Sequence, residues 1–257
     1  MGVVNITPDS FSDGGAFLAP DAAIARALRL ADEGAAIVDI GAESTRPGAR
    51  PTDETEELAR LLPVLRALSA LPVPVSVDTR RPAVMRIALA EGASMINDIE
   101  ALAGPGALEA VADTDCAVCL MHKKGDPATM QQDPRYDDVV GEVSAFLAAR
   151  VAAAEAAGIA RDRIVIDPGF GFGKTLEHNL ELLRNLRRLG APGIPMLAGL
   201  SRKSMLGRIT GRAAGDRVAA SVAAALLAAQ RGATILRVHD VAETRDALAV
   251  WKALEAG

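Results

Sequence analysis

The residues of this chain best placed to do chemistry stand at the ends of its apolar runs. Asp167 is the clearest case. It closes Ile164-Val165-Ile166 and opens Asp-Pro-Gly-Phe-Gly-Phe-Gly-Lys at 167–174. A β-branched run followed by an acid and a Gly-rich turn delivers a carboxylate to a loop whose backbone can approach a ligand closely. Gly173-Lys174-Thr175 ends like a phosphate-cradling P-loop, but that motif needs glycine where Pro168 stands. Gly169, Gly171 and Gly173 also miss the dinucleotide spacing by one residue. Seven other runs end in polar residues: Asn5; Asp39 with Glu43; Asp78; Asn97-Asp98; His122; Ser201-Arg202-Lys203; and Arg237 with His239. Singly, each has a bland reading as a turn, cap or structural residue. Polar groups at all eight ends are harder to dismiss.

Sorted by charge, these residues form two sets. Asp78, Asn97, Asp167 and Lys203 combine acceptors, an amide and an ammonium, and suit a flat polar heterocycle with an amidine-like edge. Arg46, Arg202, Arg237 and His239, with Asn5 as a neutral oxygen ligand, suit a phosphate-bearing group and its Mg2+. A substrate with both parts is implied. The sequence offers no Ser-His-Asp triad, zinc set or catalytic cysteine, so departure of the phosphate group and attack by a second substrate fit better than a covalent enzyme intermediate.

Positioning these residues requires eight alternating units. The apolar runs fall at 2–6, 35–40, 73–77, 94–99, 116–121, 163–166, 194–198 and 234–238. Helical patterns occupy 21–33, 53–69, 82–91, 105–112, 136–157, 176–189, 215–231 and 241–256, several with a glycine stop at Gly34, Gly92, Gly158, Gly190 or Gly232. Eight βα units without a linker predict an α/β fold of the (β/α)8 barrel type, one domain over 1–257, with the site at the C-terminal mouth of the strands. The alternative is a doubly wound open sheet, and no glycine fingerprint after the first strand supports it.

Composition agrees with buried parallel strands under Ala-rich helices: 50% of residues are hydrophobic and only 3% aromatic. The net charge of −5 argues against a nucleic-acid or anionic-membrane surface. With no bilayer-length apolar run and no signal peptide, the expected location is the cytoplasm. Cys116 and Cys119 sit in one strand-like run, where positions three apart face opposite ways, so they read as two inert thiols rather than a metal pair.

In order along the chain, the segments 5–15, Glu43-Ser-Thr-Arg-Pro-Gly48, Ser76-Val-Asp-Thr79, Ile96-Asn-Asp-Ile99, Met121-His122 with Gly125, Pro127 and Met130-Gln131, 167–174, Gly199-Leu-Ser-Arg-Lys-Ser204 and Arg237-Val-His239 resemble dihydropteroate synthase. That resemblance spans nearly the whole chain. It implies a sulfonamide-sensitive folate-pathway transferase that joins a dihydropterin methyl pyrophosphate to p-aminobenzoate, giving 7,8-dihydropteroate and pyrophosphate. It further implies a pterin pocket of Asp78, Asn97, Met121, Asp167 and Lys203, and pyrophosphate held by Arg46, Arg237 and His239. Asn5 would help bind Mg2+. A p-aminobenzoate site of Thr45, Pro47, Phe172 and Ser201 would place the carboxylate near the short helix after Ser201. Lys203, Arg237, His239, Asp78 and Asp167 are the expected catalytic residues.

Segments 7–15 and 44–52 are expected to act as lids that exclude water from a reactive cation. The almost wholly apolar 215–231 segment offers a second face to a partner subunit, consistent with the homodimers of the family. Two departures stand out: the short segment that usually precedes the first strand is lacking, and Lys123-Lys124 occupies a turn commonly uncharged, here read as a solvated pair. Rival functions are a methyl-folate corrinoid methyltransferase, which would not need the Ser-Thr-Arg-Pro-Gly and Ser-Arg-Lys-Ser turns, and a non-catalytic pterin-binding paralogue.

Overall fold

A computed structural model describes residues 1–6, 15–43, 52–127, 129–189 and 193–255. The strands are β1 (Gly2–Asn5), β2 (Val38–Gly41), β3 (Val75–Asp78), β4 (Met95–Asp98), β5 (Ala117–Met121), β6 (Ile164–Asp167), β7 (Leu197–Ala198) and β8 (Ile235–Leu236). β1 to β6 pair in sequence order and in parallel, and β7 pairs with β8. Two parallel bridges, Ile166 with Met196 and Gly2 with Val238, join these sheets into a ring. The ring is hydrogen-bonded at its seam, Val3 N–H donating to Val238 and Val238 N–H to Met1, each at 3.0 Å. The fold is the expected (β/α)8 barrel.

Helices α1 (Gly15–Asp32), α2 (Glu54–Ala67), α3 (Pro82–Ala90), α4 (Ala107–Val111), α5 (Val139–Ala156), α6 (Leu176–Arg184), α7 (Ser204–Thr210), α8 (Val218–Gln230) and α9 (Val241–Glu255) surround it. Their ends follow local chemistry. Asp53 caps α2 by accepting from Glu56 N–H at 2.8 Å, with Glu54, Glu56 and Glu57 in a first turn where negative charge is favoured. Thr175 and His178 form a reciprocal cap on α6. Gly34, Gly92, Gly158 and Gly232 have φ of +87° to +102°, as the expected helix stops require, while Gly190 lies outside the described residues.

Several boundaries differ from the sequence reading. β2 starts at Val38 rather than 35, and β7 and β8 shrink to two residues each. At β7 the cause is visible: Met196 N–H donates to the Thr234 hydroxyl at 3.0 Å, so a side chain takes the place of a ladder bond. The α8 pattern begins at Val218, preceded by a 3-10 turn at Ala214–Asp216, and the 176–189 pattern splits into α6 and a 3-10 turn at Leu186–Arg188.

Side-chain alternation separates the barrel interior from the helix-facing core. Met95, Cys119, Val165 and Leu197 make a small inner plug, whereas Cys116 belongs to the outer core. Both cysteines are free and buried, on opposite faces as expected. Two residues further along the same strands, Asn97, Met121 and Asp167 stand above the plug at the mouth. Asp138 caps α5 through Val140 and Gly141 N–H at 3.1 and 3.0 Å, so Asp138→Ala should lower stability by about 1 kcal/mol. A shifted urea midpoint at unchanged slope is the expected reading.

Candidate active site

Inside the mouth the acids and cations are interleaved rather than sorted. The Arg237 guanidinium lies between two carboxylates: Nε and Nη2 reach Asp39 Oδ2 at 2.7 and 2.6 Å, and Nη2 reaches Asp78 Oδ2 at 2.9 Å. Asn97 Nδ2 approaches the same Asp39 oxygen at 3.5 Å. The acidic and cationic sets expected from the sequence thus meet through Arg237, because an unpaired guanidinium here would be costly and the nearest counter-ions are the barrel's own acids. Burial, opposed by Arg237 and reinforced by Asp39, pushes Asp78 up to about 7. Asp39 was read in the sequence as the polar end of the second strand but was given no role in the site.

The β6 end forms a platform whose carbonyls nearly all have a donor. Lys174 Nζ reaches Gly169 O at 2.9 Å, Phe172 O at 3.0 Å and His122 Nδ1 at 2.9 Å. Lys203 Nζ donates to Phe170 O, Gln131 to Gly171 O, and Tyr136 Oη to Gly173 O at 2.9 Å. Gly169 and Gly173 must be glycine here. Their φ values are +66° and +63°, and a Cβ would come to 1.9 Å from His122 O and 2.1 Å from Lys124 O. Asp167 is held by Gly169 N–H at 2.7 Å. Burial raises its pKa, countered chiefly by the Lys203 ammonium. Lys203 also sits 4.5 Å from the Phe172 ring centroid, and burial lowers it to about 8.

Lys174, 3% exposed, is the second residue that site reasoning missed. An ammonium only donates, so His122 must be neutral with Nδ1 accepting, in keeping with burial and Lys174 itself pressing its pKa to about 3. His122 is thus structural, packed edge-on to Phe146 at 4.9 Å. Asp98 is structural too. It receives Glu100 and Leu102 N–H at 2.7 and 2.8 Å and steadies a turn in which Ala101 and Leu102 have positive φ.

At the β7 and β8 ends, Ser201 Oγ lies 3.0 Å from His239 Nδ1 and accepts His239 N–H at 3.2 Å. Burial and the nearby Arg202 and Arg237 press His239 down to about 4, so it is a neutral hydrogen-bonding group rather than a cation. Arg202 is corrected as a phosphate ligand, because its guanidinium is engaged by Asp240 at 2.5 and 3.2 Å. Of the pair read as solvated, Lys124 is exposed, meeting Glu142 at 2.8 Å and lying over Tyr136, whereas Lys123 is largely buried against Glu100 at 2.9 Å. Glu100 continues through Arg80 to Glu43, which also receives Arg81. Asn5 stands at the end of β1, its backbone in register with Gly41. Thr45, Arg46 and Pro47, with the proposed lids at 7–14 and 44–51, lie outside the described residues.

Residues 1–239 match the family model described as pterin binding enzyme. A dihydropteroate synthase of Neisseria meningitidis serogroup B is 54% identical over 99% of this chain and 92% of its own length. The chain belongs to the dihydropteroate synthase family. A solved Xanthomonas albilineans dihydropteroate synthase with 4-aminobenzoic acid is 57% identical with a TM-score of 0.95, covering 100% of this chain and 93% of that one. The Burkholderia cenocepacia enzyme complexed with 7,8-dihydropteroate is 52% identical with a TM-score of 0.91, covering 100% and 91%.

Within this family member, burial holds Lys174 down to about 7 against an ordinary 10.5, with Asp167 pulling the other way. The unfolded chain then binds that proton more tightly, so Lys174 costs stability below pH 7 and the cost fades as pH rises from 7 toward 10.5. Lys174→Met would leave two carbonyls and His122 without their donor, at about 1–3 kcal/mol for each buried group left unpaired. Urea titrations should give a lower midpoint for the variant and a flatter rise in stability across that pH range.

Proposed function

We infer that this chain is a dihydropteroate synthase, a transferase of folate biosynthesis that condenses 6-hydroxymethyl-7,8-dihydropterin pyrophosphate with p-aminobenzoate. The observation that carries the reading is the convergence of Asp78, Asn97, Asp167, Lys203 and Arg237 on one barrel mouth within a chain 54% identical to a synthase. Acceptors on Asp78 and Asp167 and the Asn97 amide meet the donor-rich edge of the pterin. Met121, 4% exposed at the end of β5, packs against its face. Lys203 stands between the sites: its ammonium is beside Asp167 on the pterin side and over Phe172 on the p-aminobenzoate side. Ser201 and Phe172, with Thr45 and Pro47, are assigned to p-aminobenzoate.

Pyrophosphate is assigned to Arg237, His239 and Arg46. As the carbon–oxygen bond breaks, negative charge grows on the leaving group, where the Arg237 cation and the His239 hydrogen bond stabilise it. The carboxylates of Asp78 and Asp167 stabilise the cationic methylene carbon, and the aromatic amine then adds. Among the described residues no group of three or more His, Cys, Asp or Glu could hold a metal alone. A single neutral oxygen from Asn5 suits Mg2+, which takes few protein ligands and shares phosphate oxygens; when bound it would supply further charge stabilisation to the leaving group.

A homodimer is proposed from α8, whose Leu227 is 42% exposed on a helix almost without charge. The cytoplasm is proposed as its compartment, in keeping with two free thiols. No helix among the described residues is long and apolar enough to cross a membrane.

Purified protein supplied with magnesium and both substrates should form pyrophosphate and dihydropteroate in equal amounts. Pyrophosphate alone would mean a failed p-aminobenzoate site, and neither product would overturn the reading. Lys203→Ala should raise KM for both substrates by about tenfold or more, the scale of a lost charge-assisted hydrogen bond. Asp167→Asn should act chiefly on the pterin KM. Equal losses for both substrates in the Asp167 variant would refute that division.

A further inference from the structure

The least expected group in the barrel is Asp39. It sits in the middle of β2, is 0% exposed, and is charged among residues that build a core. Its two oxygens are used unequally. Oδ2 takes Arg237 Nε and Nη2 and the approach of Asn97, whereas Oδ1 is fully buried with no hydrogen-bond partner among the described residues. Arginine and a carboxylate ordinarily pair fork to fork, one N–H to each oxygen. Here both N–H groups crowd one oxygen because Nη2 is shared with Asp78 Oδ2 at 2.9 Å. The guanidinium is thus displaced from its best pairing with Asp39, and the vacant acceptor is where that pairing would be completed.

This arrangement conflicts with the reaction as assigned above. Arg237 Nη2 bridges both acids, so a pterin donor at Asp78 Oδ2 competes with the guanidinium, and that nitrogen is not free to turn to a pyrophosphate oxygen while it does so. We propose that Asp39 is the positioning residue that holds Arg237 during a hand-over: the pterin takes Asp78, and Arg237 closes into a two-oxygen pairing with Asp39, its remaining N–H groups turned to the pyrophosphate. The proposal rests on the synthase reading. Asp39 need not touch either substrate. Its work is to keep a counter-ion beside Arg237 when the other is withdrawn, so that binding pterin does not strand a largely desolvated cation. It also keeps Asp78 available, because a guanidinium with one remaining partner would compete with the pterin for that partner.

The charges that face Asp78 are Arg237, Asp39, Asp98 and Glu57, and Lys203 feels its charge from the β7 end. Removing the Asp39 charge takes away one of the acids that raise Asp78 and gives Arg237 wholly to it. Both changes ease Asp78 ionisation, so the acid limb of pterin binding should move to lower pH even as binding weakens.

The test is Asp39→Asn, nearly the same in shape, assayed for dihydropteroate formation and for dihydropterin pyrophosphate binding by calorimetry between pH 5.5 and 8.5, with buffer values set at about half-unit steps around the Asp78 transition. The expected outcome is a pterin Kd raised about tenfold, a p-aminobenzoate KM within about threefold of wild type, and an acid limb displaced downward by about half a unit or more. A structural role alone would lower the melting temperature and impair both substrates alike, wherever the limb lies; that result overturns the proposal, as does unchanged pterin binding. Should the amide fail to fold, Asp39→Ser, which leaves room for water, takes its place with the same expectations. Wild-type protein that forms no dihydropteroate refutes the synthase reading itself, whereas active wild type beside an indifferent Asp39 variant refutes only the hand-over.

Discussion

A guanidinium held between two carboxylates inside an apolar barrel is the constraint around which this mouth is built. Arg237 enters from β8, Asp39 from β2 and Asp78 from β3, so the cluster exists only where the ring closes. Below it the plug of Met95, Cys119, Val165 and Leu197 has no polar side chain to share. Asp39 is wholly buried while Arg237 and Asp78 are each about a fifth exposed, so water screens the cluster only in part, and removing one partner leaves the other poorly compensated. The same low-polarity setting raises Asp78 toward neutrality while Arg237 stays charged. A site in this condition is poised to exchange partners with a ligand that brings its own donors and anion.

The second organising device is the carbonyl-rich turn after β6. A loop with glycines at three alternate left-handed positions would ordinarily expose its backbone to solvent. Here two lysines, a tyrosine and a glutamine take up the carbonyls instead. Lys174 works from beneath, wholly buried against neutral acceptors, whereas Lys203 works from the substrate side beside Asp167 and Phe172. The two lysines therefore divide the loop between support and chemistry. Burial lowers both pKa values, and only position distinguishes what each one does.

Much of this was legible in the residues. Apolar runs alternating with helical patterns, and a polar residue at each strand end, named the barrel and the side on which its site lies. Glycine stops marked four described helix ends. What misled was sorting side chains by charge. Arg202 and Arg237 look equivalent as cations near neighbouring strand ends, yet Arg202 is committed to Asp240 and Arg237 to the barrel acids. Lys123 and Lys124 look like a solvated pair, yet each is drawn to a different carboxylate. Asp39 and Lys174 were noted, as a strand end and as the close of the 167–174 motif, but given no role, because their partners lie far off in the chain.

The sequence by itself determined the order of strands and helices, the eight polar strand ends and the family to which the chain belongs, because periodicity and motif spacing are local properties. Tertiary structure alone decided which charges are neighbours. Asp39 and Arg237 are 198 residues apart in the chain yet share a hydrogen bond of 2.7 Å, and His122 and Lys174 meet across 52 residues at 2.9 Å. Protonation and readiness to bind depend on burial and on the nearest opposite charge, and both are fixed only when the parallel strands close into a ring.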